Sequence, residues 1–202
     1  MREVLGKNEG GKKAQILVQA AAVVRNMAGN EEAVESLMRE DVLLLFMQIL
    51  RLYPDHNELV LNIWRFLSKI SVQDGPKHSL YELGNEFIDM AIKSLDTFQA
   101  NSAVLIRIAF VLGNLTTLLD HSGIARRKSN QHVQSPQEAM MRVGASGLGI
   151  LFSCLKSYWE KDKANFANSG NNLAGKKIGM GSNTIEDALT KLLRVLANVM
   201  TA

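Results

Sequence analysis

Cysteine and proline are both scarce in this 202-residue sequence, and each scarcity narrows the class of protein. Cys154 is the single cysteine, so no internal disulfide can form and a reducing, cytoplasmic compartment is expected. The longest uninterrupted apolar stretch, 42–47, is far shorter than the roughly 20 residues that cross a bilayer, so no membrane span is expected. The N-terminal sequence MREVLGKNEGGKK also lacks the apolar core of a secretory signal.

Neither sign of charge predominates. The chain has 23 Lys and Arg against 20 Asp and Glu, and along the sequence the basic residues are scattered rather than gathered into a stripe. Nucleic acid is therefore not expected as a partner. Hydrophobic residues make up 47% of the chain, which is enough to build a folded core.

The apolar residues follow a helical period. Few β-branched residues alternate with period two, whereas apolar residues recur at spacings of three and four, as in Leu17, Val18, Ala21, Val24 and Ala28. Such stripes belong to helices that are buried on one face or more. The fold class predicted from this pattern is all-α.

Capping signals predict where some of these helices begin and end. Asp55 with Glu58 three residues later predicts a capping box, and Ser135 followed by Pro136 predicts a helix start with proline at the first helical position. Gly29 and Gly75 follow apolar stripes, where a left-handed residue commonly ends a helix.

Three segments share a pattern that indicates a repeat. AAAVVRNMA, IAFVLGNLT and LTKLLRVLANVMT each place an asparagine late in a long apolar helix, at Asn26, Asn114 and Asn198. Half of the first interval falls near Lys69, in the similar segment LNIWRFLSKIS. A unit in the low forties that contains several helices predicts armadillo or HEAT architecture, because no such unit can bury its apolar face without a neighbour.

Each predicted unit has a short first helix, a second helix and a long third helix. The predicted helices are 31–39, 41–53 and 58–71, then 80–83, 86–98 and 103–117, then 137–143, 148–160 and 186–200. The predicted domain is one right-handed α-solenoid fragment over 1–202, with a third helix at 14–28, repeats at 31–72, 77–117 and 136–201, an insertion at 120–134 and a flexible insertion at 161–182. We expect further repeats or a partner to cover its terminal faces.

The asparagine-containing segments resemble the third helix of armadillo repeats. Within that superfamily, FVLGNLTTLLD (110–120) and EDALTKLLRVLANVM (186–200), separated by a long polar insertion, are similar to the armadillo repeat-containing protein 2 family. That family is associated with assembly of the axoneme of motile cilia and sperm flagella, including delivery of radial spoke material. The resemblance implies a non-enzymatic scaffold or transport adaptor located in the cytoplasm and the cilium or flagellum.

The resemblance also implies a concave groove that is lined by third helices and binds an extended protein segment. The residues that match this surface are Asn26, Arg65, Lys69, Phe110, Asn114, Arg194 and Asn198. The alternative is that the asparagines cap or bridge adjacent helices and satisfy buried backbone groups.

A nuclear import or signalling adaptor that binds extended peptides is the alternative function. Import receptors carry a tryptophan one turn before the groove asparagine, where it holds lysine stems. The matching positions here are Ala22, Arg65, Phe110 and Arg194, which argues against recognition of nuclear-localisation peptides. Trp64 lies one residue out of that position and is predicted to pack in the core.

No catalytic, cofactor or metal site is predicted. The segment GNNLAGKK (170–177) resembles a phosphate-binding loop but has Lys177 where the magnesium-binding hydroxyl is needed. The histidines do not recur at metal-ligand spacing, and Cys154 lies on an apolar helix stripe. Arg126-Arg127-Lys128-Ser129 and Ser135-Pro136 are sequences that kinases accept, so Ser129 and Ser135 are candidate regulatory phosphorylation sites.

Overall fold

The computed structural model describes residues 2–117, 136–169 and 180–200, and within these ranges all regular secondary structure is helical. The helices are α1 (Arg2–Met27), α2 (Glu31–Arg39), α3 (Val42–Leu52), α4 (Asn57–Ile70), α5 (Asp74–Glu82), α6 (Gly84–Thr97), α7 (Ser102–Leu115), α8 (Pro136–Ser169) and α9 (Met180–Met200). The all-α prediction is confirmed for this part of the chain. None of the described helices is both long enough and apolar enough to span a membrane.

The chain divides into two compact units, and the division falls within α5. In unit 1, Met1–Ser79, α4 packs along α1 and α3 packs on α2. In unit 2, Leu80–Ala202, α9 packs against both α7 and α8, and α6 packs against α7 and α8. Each unit therefore contains two of the helices that the sequence predicts to be third helices, and these are in contact, α1 with α4 and α7 with α9. We keep the name third helix for these four.

The core of unit 1 is built around α4. Its fully buried side chains include Ile63, Trp64 and Phe66, and the Phe66 ring meets Phe46 of α3 edge to face at 5.4 Å between centroids. Burial of each side chain of this size contributes about 1.5 to 3 kcal/mol, so the hydrophobic face of α4 dominates the stability of the unit. Trp64 belongs to this core, as the sequence predicts.

The helix starts differ in part from the predicted caps. The start of α4 is capped by His56, whose Nδ1 accepts from the Leu59 amide at 3.4 Å, and the predicted box of Asp55 and Glu58 is wrong. An imidazole nitrogen one residue further along reaches the same unpaired N–H groups.

The predicted helix ends at Gly29 and Gly75 do not use the left-handed conformation. Among the described glycines, Gly84 alone has a positive φ, at 63°. Gly75 lies in the first turn of α5, between Asp74 and Pro76. A helix starts here because the first N–H groups of a helix lack partners, which suits both an acidic residue and a proline.

One continuous helix, α8, replaces the two predicted helices 137–143 and 148–160. It begins at Pro136, as the sequence predicts, and residues 144–147 are helical. A Cβ at Gly144 would lie 3.0 Å from Val199 of α9, and one at Gly147 would lie 3.1 Å from Ile92 of α6. These glycines therefore allow close helix packing rather than ending a helix.

Part of the predicted insertion 161–182 is also helical, since α8 extends to Ser169 and α9 begins at Met180. The 170–177 segment, the 120–134 insertion and the candidate phosphorylation sites Ser129 and Ser135 lie outside the described residues.

Candidate partner-binding surface

The predicted surface residues lie on the four third helices, α1, α4, α7 and α9. We call residues 26, 69, 114 and 198 the asparagine position, since three of them are asparagine and Lys69 occupies the fourth. Each lies in or near the last turn of its helix. In each unit the third helix that comes later in the chain packs along the earlier one. The side-chain contacts between the two helices can therefore be compared between the units.

In unit 1, Lys69 binds the end of the neighbouring helix α1. Its Nζ donates to the main-chain carbonyl of Arg25 at 3.2 Å. The last carbonyls of a helix lack intrahelical partners and carry the negative end of its dipole, so an ammonium group is stabilising there. Arg25 in turn donates through Nη1 to Oδ1 of the buried Asn62 on α4, at 2.6 Å.

Asn26 has a different environment from its counterparts. It is exposed, and its Oδ1 accepts from Nε and Nη2 of Arg25 at 3.2 and 3.0 Å. These bonds hold the guanidinium between Asn26 and Asn62, on the surface where α1 and α4 meet.

In unit 2, Asn198 binds the end of α7. Its Nδ2 lies 3.2 Å from the Gly113 carbonyl, 3.1 Å from Thr116 Oγ1 and 3.4 Å from Thr117 Oγ1. The carboxamide therefore bridges two neighbouring third helices, which is the arrangement of the alternative interpretation of these asparagines. Asn114 is 7% exposed and is also enclosed between elements.

The contacts of Lys69 and Asn198 fall at matching positions of the predicted repeat. Lys69 binds the carbonyl of the residue before Asn26, and Asn198 binds the carbonyl of the residue before Asn114. The two donors differ in chemistry, so the recurrence comes from the way the helices pack rather than from a shared side chain. The same register between third helices is therefore present in both units.

Burial repeats at the same positions. The positions five residues before and two residues after the asparagine position are buried in three of the four cases. They are Ala21 on α1, Trp64 on α4 and Ala109 on α7, and Ala28, Ser71 and Thr116 directly after these helices, all at most 3% exposed. On α9 the same positions are Leu193 and Met200, which are 52% and 73% exposed. The face that the first three third helices bury is thus open on α9.

Arg194 and Lys191 line the α7–α9 surface together with Phe110. The Arg194 stem lies over Gly113, where a Cβ would be 3.5 Å from Arg194 Cδ, and its Nη2 donates to Thr117 Oγ1 at 3.0 Å. Lys191 Nζ lies 5.1 Å from the centroid of the half-buried Phe110 ring and 3.6 Å from Asp187 Oδ1. Phe110 is thus partly covered by a cation.

Sequence reasoning missed Arg25, Asn62, Lys191 and Thr117, all of which join the two helices of a pair. A usable signal was present for two of them, because Asn62 and Lys191 lie seven residues before Lys69 and Asn198. A spacing of seven places two side chains on one face of a helix, two turns apart.

Two potentially reactive groups, the Cys154 thiol and the Tyr81 hydroxyl, are buried. Cys154 is fully buried, and burial, followed by the negative charge of Asp96, raises the pKa of its thiol to about 11. Burial likewise raises the pKa of Tyr81, whose hydroxyl donates to the Leu115 carbonyl at 2.7 Å. Within the described residues, no three His, Cys, Asp or Glu side chains are grouped so as to hold a metal ion.

Comparisons with known proteins add no relative: no protein-family model, no curated protein and no solved structure matches the chain. Over the described residues, the class that the structure itself defines is an all-helical protein in which α4 packs along α1 and α9 packs along α7 and α8.

Proposed function

We propose that this chain is a non-enzymatic protein-binding scaffold or transport adaptor of the armadillo type, a right-handed α-solenoid whose third helices bind an extended partner segment. Its proposed setting is assembly of the axoneme of motile cilia or sperm flagella, with radial spoke or central apparatus components as cargo. The proposed location is the cytoplasm and the cilium or flagellum.

The observation that carries this proposal is the recurring contact between third helices. Lys69 and Asn198 bind equivalent carbonyls although they differ in size, charge and position along the chain. A repeat protein has this property, because each unit contacts its neighbours in the same register. An irregular helical bundle is not expected to show the same register in two different helix pairs.

The character of the surface side chains supports a binding role. Arg194 and Lys69 are exposed and Arg65 is half-buried, and all three carry several N–H donors. An extended segment presents main-chain carbonyls and side chains at regular intervals, which the donors on the third helices of each unit can engage. The axonemal setting rests on the resemblance of 110–120 and 186–200 to the armadillo repeat-containing protein 2 family.

Recognition of nuclear-localisation peptides is less well supported. The residues four before the asparagine positions are Ala22, Arg65, Phe110 and Arg194, none of which is the tryptophan that holds a lysine stem. Trp64 is fully buried in the core of unit 1 and contributes no exposed ring.

The test is affinity purification of the tagged chain from ciliated cells, with radial spoke proteins quantified by mass spectrometry. The variant Arg65→Glu with Arg194→Glu should recover less of them. The matched control is Lys156→Glu with Lys163→Glu, which changes charge equally on exposed residues of α8 and should leave recovery unchanged. Recovery of import receptors or cadherin-type partners in place of axonemal proteins, or ATP hydrolysis by the purified chain, would overturn the proposal.

A further inference from the structure

In their C-terminal parts the four third helices carry charged side chains of one sign, whereas Glu58 on α4 and Glu186 and Asp187 on α9 precede those parts. Within 14–28, 59–71, 102–117 and 188–200 the charged residues are Arg25, Arg65, Lys69, Arg107, Lys191 and Arg194, and there is no aspartate or glutamate. The chain as a whole is almost balanced, with 20 acidic residues against 23 basic ones. The acidic residues therefore lie on the other helices or earlier along these four, and six of the basic residues recur on their C-terminal parts.

In unit 1 this set forms a cationic surface on α1 and α4. Arg65 and Lys69 are one turn apart on α4, on the face that carries Asn62, and Arg25 lies opposite on α1. The hydrogen-bond partners of Arg25 and Lys69 are the Asn26 and Asn62 carboxamides and a main-chain carbonyl. Neutral partners hold these cations in place without cancelling their charge.

In unit 2 the corresponding surface lies on α7 and α9. Arg194 bonds the Thr117 hydroxyl, again a neutral partner, and its stem packs on Gly113. Lys191 is partly neutralised by Asp187, so Arg194 supplies the larger uncompensated charge. A guanidinium already held by one hydrogen bond loses less side-chain entropy when it binds a carboxylate.

We propose that each of these two third-helix surfaces binds an acidic extended segment, rich in aspartate or glutamate, of a partner protein. The inference rests on the proposed function and specifies the chemistry of the partner. Arg–carboxylate pairs can be bidentate and directional, and a surface of one sign increases the rate of encounter with a segment of the opposite sign.

A protein segment fits the surface better than single-stranded nucleic acid does. Sites for single strands combine a basic groove with exposed aromatic rings on which bases stack. The aromatic ring in contact with Lys191 is Phe110, which is half-buried and lies under the Lys191 ammonium. An RNA oligonucleotide is therefore used as a competing probe.

The experiment measures fluorescence anisotropy of the full chain with a fluorescein-labelled peptide of alternating glutamate and glycine. Two further peptides replace glutamate with glutamine or with lysine. We expect the glutamate peptide to bind about 10-fold or more tightly than the glutamine peptide, to weaken as salt rises, and to outcompete the lysine peptide. Equal binding of the glutamate and glutamine peptides would overturn the inference, as would displacement of the glutamate peptide by a lower concentration of poly-uridine than of unlabelled peptide.

Charge-reversal variants locate the binding surface. Arg65→Glu with Lys69→Glu tests unit 1, Lys191→Glu with Arg194→Glu tests unit 2, and Lys156→Glu with Lys163→Glu is the charge-matched control on α8. Each test pair should remove binding of the glutamate peptide at its own surface, and the two pairs together should weaken binding by about 10-fold, against less than about 2-fold for the control. If the control weakens binding as much as both test pairs, the site is not on the third helices and the inference fails.

Two safeguards separate misfolding and failure of the proposed function from failure of this inference. Arg194→Gln and Arg65→Gln remove charge without reversing it and should give a smaller loss in the same direction, with unchanged circular dichroism. If the glutamate peptide does not bind but axonemal proteins are still recovered in a way that depends on Arg65 and Arg194, the acidic-segment inference is wrong and the proposed function remains. If neither is observed, both are wrong.

Discussion

Asn198→Ala tests whether the carboxamide at the asparagine position stabilises the packing of neighbouring third helices. The Asn198 Nδ2 atom lies 3.2 Å from the Gly113 carbonyl oxygen and 3.1 Å from Thr116 Oγ1. Because Nδ2 carries two N–H groups, it can donate two hydrogen bonds at the same time. At a net value of about 0.5 to 1.5 kcal/mol for each of the two bonds, the loss should be about 1 to 3 kcal/mol in the free energy of unfolding of unit 2. The Gly113 carbonyl keeps Thr117 Oγ1 as a donor at 2.6 Å, so the larger penalty of an unpaired buried group is avoided.

Two further variants make the Asn198 prediction specific. Asn26→Ala changes the same residue type at the same repeat position, but Asn26 is exposed, so the loss should be below about 0.5 kcal/mol. Asn198→Asp should be less stable than Asn198→Ala, because a carboxylate only accepts hydrogen bonds and would face the carbonyl end of α7.

Urea and thermal unfolding followed by far-ultraviolet circular dichroism measure these differences. A loss of 1 kcal/mol lowers the Tm of a protein of this size by about 2 to 4 °C. An Asn198→Ala protein as stable as the unmodified chain would refute the bridging role, and so would an Asn26→Ala protein that loses as much stability as Asn198→Ala.

Three other predictions concern packing and buried groups in unit 2. Gly147→Val should lower the free energy of unfolding by about 1 to 3 kcal/mol because its Cβ would lie 3.1 Å from Ile92, whereas Gly149→Val, with no atom within 4 Å of its Cβ, should change it by less than about 0.5 kcal/mol; equal effects in urea unfolding would contradict the close packing of α6 and α8. Tyr81→Phe should cost about 1 kcal/mol, since the Leu115 carbonyl loses its hydroxyl donor, and an unchanged unfolding midpoint would refute this. The Cys154 thiol has a folded pKa of about 11, above its ordinary 9.0, so the folded state retains the proton longer and the stability that this contributes is present below pH 9 and lost between pH 9 and 11. The stability of the native chain relative to Cys154→Ala should fall across that window, and a difference independent of pH would contradict it.

The helices that the sequence predicts best are those with strong apolar periodicity. The predictions 31–39 and 58–71 agree with α2 and α4 to within a residue, because their buried faces recur every three or four positions. Prediction fails where glycine and polar residues weaken the period. Gly144 and Gly147 lie inside α8, where close packing on α9 and α6 outweighs the low helix propensity of glycine.

At the asparagine position, the sequence predicts which residues match one another but not how their side chains are oriented. The spacing of Asn26, Asn114 and Asn198 singles them out, and Lys69 follows from halving an interval. Their orientations differ, since Asn26 is exposed, Asn114 is buried and Asn198 bonds to α7. Side-chain orientation depends on the neighbouring helix, which is distant in sequence.

The sequence by itself determined that this chain is helical, which of its helices are similar, and that Trp64 and Cys154 belong to the core, since periodicity and side-chain polarity are local properties of the chain. Only the tertiary structure decided which side chains join one third helix to the next, as Lys69 and Asn198 do, and that Arg25, Lys69 and Arg194 are held by neutral partners. Those contacts connect residues about 44 to 85 positions apart, and their energies depend on packing distances and burial that no local pattern specifies.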